Sequence, residues 1–111
     1  MKKLSADAME QVAAYFRALS EPQRLRLLSE LRQGERSVGQ LVEALGATQS
    51  NVSKHLDVLF DAGLLARERR GASTIYRIAE PETLQLCDLV CGNVVRIAAR
   101  RTGRVLRPTR G

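Results

Sequence analysis

The stretch QSNVSKHLDVLFDAG, residues 49–63, decides the fold predicted for this chain. As a helix, it places apolar side chains at the spacing that packs one face on a core: Val52, Leu56, Leu59 and Phe60. The opposite face carries short polar side chains and one cation: Ser50, Ser53, Lys54 and Asp57, with Asn51 beside them. Such a face offers hydrogen-bond donors without apolar bulk, which favours contact with phosphates and base edges. A solvated surface helix is the alternative, and the neighbouring segments discriminate between the two.

A short helix and a tight turn precede this stretch. The S-x-x-Q pattern from Ser37 to Gln40 predicts a capping box, and the helix that it opens ends at Gly46. Thr48 is then the predicted N-cap of the helix at residues 49–63. This order predicts a helix-turn-helix, whose second helix enters the major groove of DNA.

Two further helices are predicted upstream. The first spans Ala6–Leu19, where apolar residues recur at helical spacing. Ser20 is the predicted N-cap of the second, because Gln23 would complete a capping box and Pro22 falls in the first turn. This second helix is predicted to run to about Gln33.

The periodicity changes after Gly63. Leu65–Arg70 and Thr74–Ile78 are predicted as two short strands joined by a turn at residues 71–73. Four arginines lie in or beside this hairpin: Arg67, Arg69, Arg70 and Arg77. We interpret it as a basic wing that reaches a flanking phosphate or the minor groove. A surface hairpin kept soluble by its charge is the alternative.

The last predicted helix begins at Pro81 and runs to about Arg101. One apolar stripe on it is broadened by a second set of apolar residues: Leu84, Cys87, Cys91, Val94, Val95 and Ala98, then Leu86, Leu89, Val90 and Ile97. Such a helix buries more than one side, and 111 residues offer little core to cover both. We therefore predict a homodimer.

Residues 1–101 are predicted to form one domain and residues 102–111 a flexible basic tail. The net charge of +6 has its origin near the C-terminus, because the chain up to Val95 carries twelve basic and twelve acidic residues. Six arginines supply the excess: Arg96, Arg100, Arg101, Arg104, Arg107 and Arg110. A basic excess indicates a polyanionic partner, although charge in a tail does not show that the folded body binds it.

Compartment and chemistry are also bounded by the sequence. No apolar run approaches the length of a membrane span, and the first residues lack a secretory pattern. We therefore expect a cytoplasmic protein whose two cysteines, Cys87 and Cys91, are reduced at rest. No enzyme is predicted, because the sequence has no glycine-rich phosphate loop and its sole histidine, His55, belongs to a different element from the cysteines.

Four segments in register resemble the arsenic-repressor (ArsR/SmtB) family of winged helix-turn-helix repressors: LSEPQRLRLL at 19–28, QSNVSKHL at 49–56, LFDAGLL at 59–65 and RERRGASTIYRI at 67–78. The resemblance implies a mostly α (α+β) fold of five helices with a two-stranded wing. It also implies a homodimer through the first and last helices, which blocks a promoter and leaves the DNA when an inducer binds.

The expected contacts to a palindromic operator come from the predicted recognition helix and the wing: Gln49, Ser50, Asn51, Ser53, Lys54, His55, Arg69 and Arg70. For His55, a DNA contact and packing at the edge of the helix are equally weighted interpretations. DNA binding itself is expected to need no cofactor. A non-sensing architectural DNA-binding protein driven by the arginine tail is an alternative, which would show little sequence preference.

The sequence departs from the family at the inducer sites. Residues 37–45, SVGQLVEAL, lack the cysteine pair that many arsenic and cadmium sensors carry in the third helix, and the histidine clusters of zinc and nickel sensors are missing. Cys87 and Cys91 remain as candidates, with Cβ atoms about 6 Å apart on one helical face. That is too far for a relaxed disulfide within the helix, but it suits two thiolates on a soft metal ion.

We therefore expect trivalent arsenic or antimony, or another soft ion, at Cys87 and Cys91, with a third sulfur from the partner subunit. A thiol-oxidation switch between subunits is the close alternative. Simple packing of two small residues is the third interpretation.

Overall fold

The computed structural model describes residues 3–103. Five helices and three strands follow one another along the chain: α1 (Ala6–Leu19), α2 (Pro22–Leu31), β1 (Arg36–Ser37), α3 (Val38–Leu45), α4 (Gln49–Asp61), β2 (Leu65–Arg70), β3 (Ser73–Ile78) and α5 (Glu82–Thr102). The fold is a winged helix-turn-helix, as predicted, with α3 and α4 as the helix-turn-helix and β2–β3 as the wing. No helix in the described part of the chain combines the length and apolarity needed to cross a bilayer.

The sheet has three antiparallel strands in the order β1-β3-β2. The wing hairpin runs in register from the Leu65–Ile78 pair to the Arg70–Ser73 pair, and Gly71 at its tip adopts a positive φ of 58°. Strand β1 was not predicted, because two residues are too few to show alternation; it pairs through Arg36 with Tyr76. The wing is therefore attached to the segment before α3.

The capping box at the start of α3 is confirmed. The Ser37 hydroxyl accepts a hydrogen bond from the Gln40 backbone N–H at 3.1 Å, and the Gln40 side chain accepts one from the Ser37 N–H at 2.9 Å. Gly46 ends α3 in the left-handed conformation, with φ 62°, and Thr48 caps α4 by accepting from the Asn51 N–H. The turn between the two helices is thus fixed at both ends by local hydrogen bonds.

The predicted N-cap at Ser20 is wrong. Ser20 is the C-cap of α1, and its hydroxyl donates to the Arg17 carbonyl at 2.8 Å. Glu21 caps α2 instead, since its carboxylate accepts from the Arg24 N–H at 3.0 Å. Pro22 explains the shift, because a residue before proline is driven out of the helical region and so takes the extended cap conformation.

Two helix ends also differ from prediction. Helix α2 ends at Leu31 rather than Gln33, and α4 ends at Asp61 rather than Gly63. Gly63 has a φ of 89°, which takes it out of the helix and allows the chain to turn toward β2.

The core lies among α2, α3, α4 and the sheet, and most of it is leucine. Its buried members are Ala18, Leu27, Leu28, Leu31, Leu41, Leu45, Val52, Leu56, Leu59, Leu64, Leu65 and Tyr76. The predicted apolar face of α4 is confirmed, because Val52, Leu56 and Leu59 are all buried.

Helix α5 is attached to this core by little of its surface. Thr83 is its one buried residue, and Leu89 retains 68% of its accessible surface. Val90, Val94 and Ile97 on α5, and Met9 and Phe16 on α1, are also exposed. A single chain therefore leaves apolar surface uncovered on both terminal helices.

The end of α5 falls one residue beyond the predicted boundary. Thr102 is the last helical residue, and Gly103 is the C-cap with a φ of 67°. The rest of the predicted basic tail, residues 104–111, lies outside the described residues.

Candidate DNA-binding surface and thiol pair

The N-terminal half of α4 presents a polar surface. Burial of Val52, Leu56 and Leu59 fixes the rotation of the helix, so the residues between them face away from the core. The exposed predicted contacts are Gln49, Ser50, Asn51 and Lys54, and Ser53 beside them is half-buried. This surface lies at the end of the helix where the dipole favours phosphate.

His55 is turned toward α2 and not toward solvent. Its side chain is 14% exposed, and Nδ1 lies 3.2 Å from Nη1 of Arg24. On the other side of the ring, Nε2 lies 3.8 Å from Oε2 of Glu21. Of the two interpretations that the sequence allowed, these contacts favour packing over a direct contact with DNA.

The two wing arginines in the predicted site differ in their partners. Arg69 donates Nε to the carbonyl of Gly71 at 3.1 Å. Arg70 forms ion pairs with Glu35, at 2.5 Å, and with Glu68. The hydrogen bond from Arg70 holds the pKa of the Glu35 carboxyl below its usual range. Arg70 must therefore exchange carboxylate partners for phosphate if it is to bind DNA.

Arg67 was not among the predicted site residues, yet it joins the wing to α4. Its guanidinium lies 3.8 Å from the centre of the Phe60 ring and 3.2 Å from Oδ1 of Asp57. It also donates to the Tyr76 hydroxyl at 3.3 Å, across the β2–β3 pair. The register of the hairpin would have revealed the Tyr76 contact, but the contacts with α4 depend on the tertiary fold.

The two cysteines lie along a groove between α2 and α5. Both thiols are free, Cys87 half-buried and Cys91 exposed. Burial raises the pKa of the Cys87 thiol, an effect that nearby Arg32 opposes. One wall of the groove is held by an ion pair in which Arg32 donates to both carboxylate oxygens of Asp88, at 2.8 and 3.3 Å.

The groove has a volume of about 560 Å³, within the range of small-molecule sites. Its lining is mixed, with apolar and charged residues from both helices: Pro22, Leu25, Arg26, Leu28, Ser29, Arg32, Leu84, Cys87, Asp88 and Cys91. Across residues 3–103, no three His, Cys, Asp or Glu side chains are grouped to hold a metal ion. Cys87 and Cys91 are the two thiols that line this groove.

Comparisons with known proteins identify the family of this chain. The profile of the bacterial regulatory protein arsR family matches residues 21–67. The HTH-type transcriptional regulator NmtR of Mycobacterium tuberculosis is 41% identical over 85 residues, which cover 77% of this chain and 71% of NmtR. A probable mercury resistance operon repressor of Streptomyces lividans is 38% identical over 77 residues, which cover 69% of this chain and 62% of that protein.

A solved structure is similar over almost the whole chain. It is the solution NMR structure of the homodimeric winged helix-turn-helix DNA-binding domain Mb0332 from Mycobacterium bovis, a possible ArsR-family regulator. The match has a TM-score of 0.77 at 31% identity, and it covers 92% of this chain and 97% of that one. This chain belongs to the arsR family of bacterial regulatory proteins, and it is a DNA-binding transcriptional regulator rather than an enzyme.

Proposed function

We propose that this protein is a homodimeric repressor that occupies a palindromic operator and releases it when a thiol-reactive inducer binds Cys87 and Cys91. The observation that carries the sensing half of the proposal is the position of the thiols. They line a groove between α5 and α2, and α2 packs directly on the recognition helix α4. An ion held by both thiols therefore acts at the junction between the terminal helices and the DNA-binding core.

DNA binding is assigned to the exposed N-terminal face of α4 and to the wing. Ser50, Ser53 and Lys54 reach base edges and phosphates in the major groove, with Gln49 and Asn51 at the start of the helix. Arg69 and Arg70 contact the flanking backbone. The His55 side chain packs against α2, so its contribution to DNA binding is indirect, through the placement of α4.

The dimer forms through α1 and α5, because these helices carry the uncovered apolar side chains. Met9 and Phe16 on α1 and Leu89 and Val94 on α5 would be covered by a second subunit. The homodimeric state of the similar Mb0332 domain supports a dimer, and the exposed apolar side chains support the choice of α1 and α5. A two-fold axis between the recognition helices then calls for two half-sites about one turn of DNA apart.

The inducer is a soft ion, with trivalent arsenic or antimony as the first candidates. Thiolates are the preferred ligands of such ions, and a partner subunit would supply the third sulfur. The relationship to a probable mercury resistance repressor supports the soft-metal class. Oxidation of the same two thiols, Cys87 and Cys91, is the second candidate.

A titration of operator-bound protein tests this function. Arsenite, antimonite, mercuric ion and hydrogen peroxide are added separately to the wild type and to the Cys87→Ser and Cys91→Ser variants. We expect a soft ion to release the operator from the wild type alone. Release by peroxide that dithiothreitol reverses would favour the oxidation switch. An equal response in all three proteins would show that the cysteines are packing residues.

A further inference from the structure

Arg24 lies where three helices meet. It belongs to the first turn of α2, and its guanidinium donates to two carbonyls at the end of α1: Nε to Ala18 at 2.7 Å and Nη2 to Arg17 at 3.2 Å. The remaining nitrogen, Nη1, lies 3.2 Å from Nδ1 of His55 in the middle of α4. One side chain thus joins α1, α2 and the recognition helix.

The position of this guanidinium is dictated by α1. The last carbonyls of a helix lack N–H partners within it, and Ala18 is buried at 2% exposure. The residue four positions after Ala18 is Pro22, which has no N–H to donate. Arg24 therefore satisfies a buried carbonyl that the backbone cannot, and leaving that carbonyl without a partner would cost stability.

The ring of His55 contacts Arg24 on one side and lies near Glu21 on the other. A guanidinium can only donate, so Nδ1 accepts from Arg24 and a ring proton has its place on Nε2. That nitrogen faces Oε2 of Glu21, the same oxygen that accepts the Arg24 N–H and caps α2. Rotation of α4 about its axis would withdraw the ring from this arrangement.

We infer that Arg24 and His55 are positioning residues, which set the orientation of the recognition helix relative to α1. This inference rests on the proposed role of α4 in reading DNA. Lys54 is adjacent to His55 in sequence. A change in the packing of His55 against α2 therefore shifts Lys54 and the exposed face of α4. Because α1 is a proposed dimer helix, the same contact sets the separation of the two recognition helices.

A direct phosphate contact by Arg24 is the rival explanation, and salt dependence separates the two. All three guanidinium nitrogens contact protein groups, and the residue is half-buried. A positioning residue changes the affinity for the specific site and leaves the salt slope intact. A phosphate contact lowers affinity for all DNA and makes the slope shallower.

The experiment uses a duplex selected by the wild-type protein from random DNA, and an unrelated duplex of equal length. Arg24→Lys keeps the charge but loses the planar guanidinium whose three nitrogens contact the three partners. We expect it to weaken binding to the selected duplex about tenfold, and to the unrelated duplex less than about twofold. Arg36→Lys is the matched control, because the Arg36 guanidinium donates to the carbonyl of Glu35, its neighbour in sequence.

Substitution of His55 gives an independent arm. His55→Leu should reproduce the loss, whereas His55→Asn places an acceptor oxygen near the position of Nδ1 and should stay within about threefold of the wild type. The Arg24→Lys/His55→Leu double variant should lose little more than either single variant, because the two act through one contact. Thermal unfolding followed by circular dichroism, together with sedimentation, checks whether each variant is a folded dimer.

The inference is overturned if Arg24→Lys and His55→Leu bind the selected duplex as the wild type does. It is also overturned if Arg24→Lys loses equal affinity for both duplexes with a shallower salt slope, or if His55→Asn fails to rescue. The Lys54→Ala variant distinguishes failure of the positioning inference from failure of the proposed DNA-binding role of α4. If Lys54→Ala leaves binding unchanged, α4 does not read DNA; if it alone weakens binding, only the positioning role is lost.

Discussion

The hydroxyl of Tyr15 on α1 lies 2.5 Å from Oγ1 of Thr83 on α5, and Thr83 is almost completely buried. The two helices proposed to join the subunits are therefore tied together within each subunit. Tyr15→Phe leaves the Thr83 hydroxyl buried without its partner, and we expect a loss of about 1–3 kcal/mol in unfolding free energy. Urea unfolding at fixed protein concentration measures it.

The double variant Tyr15→Phe/Thr83→Val provides the control for that loss. It removes both hydroxyls, so no polar group stays buried without a partner, and its loss should be smaller than that of Tyr15→Phe alone. If the double variant loses as much unfolding free energy as Tyr15→Phe and Thr83→Val lose together, the two hydroxyls do not act as a pair.

Lys54 should contribute a phosphate contact. We expect Lys54→Ala to weaken operator binding, with a slope of log affinity against log salt that is shallower by about 1. Fluorescence anisotropy across a range of potassium chloride concentrations measures both quantities. A Ser53/Lys54/Arg70 triple alanine variant with unchanged affinity and slope would refute the assignment of this surface.

Glu35 should restrain Arg70 in the free protein. Glu35→Gln removes one carboxylate from the pair with Arg70, so we expect stronger binding to unrelated DNA and a steeper salt slope. Since the pKa of Glu35 is lowered in the folded protein, the pair is intact above the usual carboxyl pKa and is lost as pH falls through the lowered value. Glu30→Gln, an exposed carboxylate on α2, is a control that should leave the slope unchanged.

Leu89 should lie in the subunit interface. At 68% exposure in the single chain, it is the most exposed of the large apolar residues on α5. We expect Leu89→Glu to yield monomers in analytical ultracentrifugation at micromolar concentration and to lose operator binding, because a charge would be buried against the partner. Gln85→Glu, an exposed change on the same helix, should remain dimeric. A wild-type monomer that still binds its operator would exclude the dimer model.

Cys87 should react slowly at neutral pH. Burial raises its pKa, so the thiolate fraction at pH 7 is below that of an ordinary cysteine and increases as pH rises. The rate of alkylation by iodoacetamide can be followed by mass spectrometry in the Cys91→Ser variant. We expect this rate to rise over a pH range higher than the range in which a free thiol becomes reactive. Reaction at pH 7 as fast as in the urea-unfolded protein would contradict this.

Local signals in the sequence predicted most helix positions correctly. The box formed by Ser37 and Gln40 and the glycine at position 46 each act within a few residues, so they are readable without tertiary information. The cap of α2 was misplaced because Ser20 satisfies the residue types of a capping box, yet its hydroxyl is used by the end of α1. The end of α1 and the start of α2 both lie beside Ser20, and its hydroxyl bonds to α1, so Glu21 caps α2.

The contacts that organise the candidate site were less accessible to sequence reasoning. Arg67 and Arg70 lie in one strand with the same charge, but the first contacts Phe60 on α4 and the second pairs with Glu35. The contact between Arg24 and His55 likewise joins residues far apart in the chain. These partners are set by how α2, α4 and the sheet pack, which periodicity does not encode.

The short strand β1 has a mechanical consequence for signalling. Ser37 pairs with Ile75 in the wing and also caps α3, so the wing and the first helix of the helix-turn-helix share an attachment point. On the other side, Arg67 fastens the wing to α4. We therefore expect the wing, α3 and α4 to move together as one body. In a dimer, an inducer would then switch the protein by changing the angle between the two DNA-binding units, one from each subunit. The two recognition helices would no longer match two successive major grooves.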